Sequence, residues 1–133
     1  MMHFLSSIGA FALHLAAGLI LLGLFVMAYV RTTPHHEMEL IRKGNAAAAF
    51  GIGGAMIGYA IVLSRAISFS DGLLEVLVWG LIGLVVQVAG HWILSRFMPR
   101  LYVAIEEGDM AAGLMKAGVA ITLGLINAAS MTP

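Results

Sequence analysis

Apolar residues in this chain neither alternate with polar ones nor form a single stripe; they come in long runs broken by short polar segments. Ile8–Val30 is 23 residues without a charge, and Asn45–Ser64 carries none. Gly72–Leu94 carries Glu75 alone, near one end, and Asp109–Ser130 carries only Lys116 beyond its first residue. About 20 apolar residues is the length an α-helix needs to cross hydrocarbon. Hydrocarbon accepts a helix because each backbone donor and acceptor is then paired within the segment. The pattern predicts an all-α integral membrane protein with four transmembrane helices, about 8–30, 45–67, 72–95 and 109–130, in a single membrane domain spanning 1–133. The first run is read as retained: no Lys or Arg precedes it, it is long for a secretion signal, and no small-x-small cleavage site ends it.

Composition sharpens this picture. Of 133 residues 61% are hydrophobic and 11% charged, and the mean hydropathy is +0.99. A soluble domain has about 25% charged residues, so lipid is the main solvent here. The formal net charge is zero and gives no sign of a nucleic-acid partner. With no Cys, disulfides, thiolate metal sites and cysteine nucleophiles are excluded. Arg31, Arg42, Lys43, Arg96 and Arg100 flank the connections between helices one and two and between three and four, whereas Arg65 stands alone on the other side. That bias places both connections in the cytoplasm and both termini outside, in the periplasm of a bacterial inner-membrane protein.

Shifted by 64 residues, the chain overlays itself. Ile41 falls on Ile105, Gly44 on Gly108, Asn45 on Asp109, Ala47 and Ala48 on Ala111 and Ala112, Gly54 on Gly118, and Ile57 on Ile121; Pro34 and Pro99 open the two connections. The reading is two tandem hairpins, repeat one over 8–67 and repeat two over 72–130, in the same orientation and so a parallel repeat. Asn45 and Asp109 are the expected N-caps of the second and fourth helices. Ala47, Gly51, Gly54 and Gly58 recur at helical spacing, as do Gly113, Ala117, Ala120 and Gly124. Lipid gives helices no hydrophobic drive to associate, so small residues that let backbones touch supply the contact. The two stripes predict close packing of helices two and four, within the chain or between subunits of a homo-oligomer.

Ionisable groups inside a membrane are functional candidates by default. Lys116 lies about seven residues into helix four, roughly 10 Å from the cytoplasmic face at 1.5 Å per residue. Its stem could snorkel back to the headgroups, or it could join Gln87 and His91, four apart on helix three, in an inner-leaflet ion or proton path. His14 reads as a packing residue, and Arg65, Asp71 and Glu75 as interfacial charges that could pair. His35, His36 and Glu37 are metal-ligand types, but two adjacent His point in different directions on a helix, and no metal or cofactor is expected. The glycine-rich "GIGGAMIG" has no strand before it and no Lys-Ser/Thr ending, so it is not a phosphate loop. No nucleophile triad or intramembrane carboxylate pair occurs, and no enzymatic activity is expected.

"GNAAAAFGIGGAMIGYAI", "VWGLIGLVVQ" and "GDMAAGLMKAGVAITLGLINAASM" resemble the YjfL family, small bacterial inner-membrane proteins of a domain of unknown function, over roughly Gly18–Met131. Gly44, Asn45, Asp109 and Asn127 match its motifs, whereas Lys116 stands where an apolar residue is expected. The resemblance implies four helices and no catalytic or ligand residues. It also implies a role as membrane anchor or partner in envelope maintenance, beside a peripheral protein of the phage-shock, PspA-like class. The competing expectation is an oligomeric channel or small-solute transporter using Gln87, His91 and Lys116.

Overall fold

The computed structural model describes residues 1–33 and 36–132, and every element among them is helical. In chain order these are α1 (Met2–Thr32), α2 (Glu37–Arg42), α3 (Ala46–Phe69), α4 (Leu73–Phe97), α5 (Pro99–Glu106) and α6 (Met110–Ser130). The four long helices, α1, α3, α4 and α6, are each long and apolar enough to cross a membrane. α1 begins six residues before the expected start at Ile8. Nothing in Met2–Ser7 breaks a helix, and the Ser6 and Ser7 hydroxyls are absorbed by donating to the His3 carbonyl.

Both connections end in the same way. Gly44 and Gly108 take φ of +86° and +84°, the left-handed turn that glycine adopts without a Cβ penalty. The next amide, of Asn45 or Asp109, donates five residues back to the Leu40 or Ala104 carbonyl. The Asn45 side chain then accepts from the Ala48 amide, and that of Asp109 from the Ala111 and Ala112 amides, satisfying donors that a helix start leaves open. The short helices α2 and α5 fill the connections.

Packing is tightest between α3 and α6. A β-carbon added to Gly54 would overlap Ala117, one on Gly58 the Ala120 carbonyl, one on Gly113 the Ala47 backbone, and one on Gly124 the Gly58 backbone. These helices therefore meet backbone to backbone. α1 and α4 pack on each other and against α3, with Leu21 over Gly80 and Val62 over Gly83. Leu21, Phe25, Tyr29, Tyr59 and Val62 are fully buried in the core. The Phe25 and Tyr59 rings stack at 4.7 Å, and the Tyr59 hydroxyl donates to the Gly80 carbonyl at 2.7 Å. A smaller cluster of Ala47, Ala48, Ile105 and Ala112 closes the connection end.

Candidate functional site

The connection end of the bundle holds two opposite charges out of contact with solvent. Glu37, the first residue of α2, is 1% exposed, and Lys116, in the second turn of α6, is 2% exposed. The Lys116 ammonium donates to Glu37 Oε1 at 2.6 Å, and the Tyr29 hydroxyl donates to the same oxygen at 3.0 Å. The ammonium also lies 4.8 Å from the centres of both the Tyr29 and Tyr102 rings, where the negative ring faces stabilise a cation. Gly51 makes room for it, since a β-carbon there would sit 3.3 Å from Lys116 Cδ.

His91 stands beside this pair. Its Nε2 is 3.2 Å from the Thr33 hydroxyl and its Nδ1 3.1 Å from the Tyr102 hydroxyl, so both ring nitrogens have a hydroxyl partner. Its ring packs 4.1 Å from that of Tyr29. One turn deeper, Gln87 donates to the Ala120 carbonyl at 3.4 Å. Asn127 donates to the Gly83 carbonyl at 3.0 Å and to Gln87 Oε1 at 3.3 Å. Burial and the Glu37 carboxylate push the Tyr102 phenol well above its usual range. Phe25, Gln87, His91, Lys116 and Leu123 help to line a cavity of about 20 Å³ among α1, α3, α4 and α6, room for about one water molecule.

A buried pair of this kind is a poor way to gain stability. Desolvating two charges offsets most of their attraction, and apolar residues in their place are often neutral or better. What the pair does is fasten α2 to the transmembrane bundle at a fixed position. Asn45 adds a second fastening: its side-chain amide donates to the Ile105 carbonyl at 2.7 Å and to that of Glu106 at 3.3 Å.

The structure therefore brings Gln87, His91 and Lys116 together on one cavity. It corrects the snorkelling reading of Lys116, whose side chain turns inward because Glu37 and two aromatic rings replace its water. Arg65 does not pair with Asp71 or Glu75; it donates to the Met131 carbonyl and lies over the Phe69 ring, while Glu75 accepts from the Asp71 amide. His14 is half-buried with Nδ1 2.7 Å from the Ala10 carbonyl. His35 lies outside the described residues. Sequence reasoning weighed Glu37 only as a metal-ligand type and missed it as the counter-ion of Lys116. A lone lysine in an apolar helix was the signal that an acidic partner had to be sought. Tyr29, Thr33 and Tyr102 carried no such signal.

The family model described as Domain of Unknown Function (DUF350) matches residues 2–131. The chain belongs to the DUF350 family. Among its relatives is the UPF0719 inner membrane protein YjfL of Escherichia coli (strain K12), 34% identical over 131 residues, covering 98% of this chain and 99% of that one. The UPF0719 transmembrane protein YshE of Bacillus subtilis (strain 168) is 29% identical over 122 residues, covering 90% and 91%. No solved structure matches the chain. DUF350 membership, the relatives' names and the four apolar helices make this a multi-pass inner-membrane protein.

Proposed function

We propose that this DUF350 protein is a non-enzymatic, self-associating membrane anchor whose two connections recruit a peripheral membrane-stress protein of the PspA-like class. The observation that carries the reading is the Asn45 amide, which donates to the Ile105 carbonyl at 2.7 Å and joins the two connections into one surface. That surface presents the Glu39–Lys43 ion pair at 3.2 Å, the exposed Arg42, Arg100 and Glu107, and the apolar Met38 and Val103. The family resemblance supplies the partner class. The excess of Arg and Lys on this side supports a cytoplasmic surface with both termini outside. The matching glycine turns and caps at Gly44–Asn45 and Gly108–Asp109 support two tandem parallel hairpins. A photo-crosslinker at Met38 or Val103 in growing cells is expected to trap a PspA-like protein; recovery of this chain alone would overturn the recruitment reading.

A second reading has one observation in its favour: Gln87, His91 and Lys116 share a cavity. An oligomeric channel or small-solute transporter built on them predicts flux in proteoliposomes that falls when the three are replaced. Flux indifferent to all three replacements would remove it.

A further inference from the structure

α1 is longer than anything packed against it. Gly18 lies beside Ile67, near the end of α3 at Phe69, and every residue from Met1 to Leu13 is exposed. Met2–His14 thus continues past the bundle for about 20 Å at 1.5 Å per residue. Arg65, Asp71 and Glu75 mark the level at which this overhang begins. The 24 residues of α3 already reach about 36 Å, against about 30 Å of hydrocarbon. A hydrocarbon layer of about 30 Å set on α3 stops short of the overhang, which carries no Asp, Glu, Lys or Arg and holds Phe4 and Phe11 at 68% and 67% exposure.

One face of α1 runs through both the overhang and the membrane zone. Gly9, Leu13, Ala16, Ile20, Gly23 and Met27 alternate small and large at spacings of three and four. At 100° per residue this face is opposite the core-facing Phe25. A β-carbon at Gly9 or Gly23 would meet nothing within 4 Å. A sustained seven-residue repeat is the geometry of a left-handed helix pair, and small residues let its backbones close up where lipid surrounds them. Gly54, Gly58, Gly113 and Gly124 of α3 and α6 are already spent inside the chain, whereas this face of α1 is free for self-association.

We propose that this face of α1 is an interface for α1 of a second copy of the chain, the two helices running parallel from the membrane zone into the overhang. Lipid covers the face only where there is bilayer. An end-to-end cover must be an apolar helix that crosses the same membrane and rises about 20 Å beyond it, and another copy's α1 has that length, sense and register by construction. The inference rests on the self-association proposed above and is independent of the recruitment reading. Because the chain has no Cys, single cysteines can be placed cleanly and oxidised with copper–phenanthroline in isolated membranes. Cysteine at Leu13, Ala16 or Ile20 is expected to give several-fold more disulfide-linked dimer than cysteine at Phe11, Leu15 or Leu22. The double variant Gly9→Leu/Gly23→Leu, which fills open space and leaves the fold intact, is expected to shift the detergent-extracted protein to monomer. Wild-type protein that is monomeric in membranes would overturn self-association and this interface together. Dimers crosslinking equally from Phe11 and Leu15, or unaffected by the double variant, would overturn the interface alone.

Discussion

Replacing Lys116 with Met puts an apolar chain of similar length in place of the ammonium that donates to Glu37 Oε1, beside a carboxylate only 1% exposed. Removing one member of a buried ion pair costs about 3–5 kcal/mol, or roughly two to four powers of ten in the folding equilibrium at 1.4 kcal/mol per decade. Gly51 leaves the methionine space, so little of that cost comes from packing. The companion Glu37→Gln/Lys116→Met removes both charges and keeps an acceptor for the Tyr29 hydroxyl. It is expected to recover all but about 1–2 kcal/mol, the residue of an imperfectly satisfied polar group. The assay is reversible unfolding of the purified protein in mixed micelles, followed by Trp79 and Trp92 fluorescence, for wild type, both single variants and the double. The cycle should show about 2 kcal/mol or more of coupling between the two positions. A Lys116→Met cost below about 1 kcal/mol, as for exposed pairs, or a double variant no better than the single, would refute the picture of a dry pair that fastens α2.

Gly54→Leu drives a side chain into the Ala117 backbone and should prevent α3 and α6 from closing; the expected readout is loss of folded protein on extraction. Gly53→Leu, one residue away, meets open space and should be nearly neutral in the same experiment. Gly108→Ala, with no neighbour within 4 Å but φ of +84°, should cost about 1–3 kcal/mol from the backbone alone; an unchanged melting temperature would contradict it. Because burial and Glu37 raise the Tyr102 phenol, the folded state holds that proton where the unfolded state releases it. The associated stability is intact below the ordinary phenol value near 10 and declines as pH rises above it. Phenolate absorbance should therefore include Tyr102 only once the protein unfolds; a Tyr102→Phe variant with the same alkaline titration of the folded state is the expected match.

Membrane-spanning helices were legible because hydrocarbon imposes a single requirement, continuous apolar length, that is written locally. Turns were legible for a similar reason: Gly44 and Gly108 need their conformation whatever surrounds them. The Glu37–Lys116 pair was not, because its members lie 79 positions apart and Glu37 sits among connection residues where a charge is ordinarily unremarkable. The inward turn of Lys116 depends on Tyr29 and Tyr102 arriving from two other elements, information that no local pattern holds. The overhang of α1 was hidden too, since an apolar run shows its own length but not where its neighbours stop.

The side chain of Asn45 starts α3 with its oxygen and grips the other connection with its nitrogen. Asp109, its counterpart in the sequence overlay, offers two oxygens and can perform only the first task. The two connections therefore end differently, one in a clasp and the other in a plain cap. A chain with Asp at both positions would begin both helices correctly yet leave its two connections unlinked.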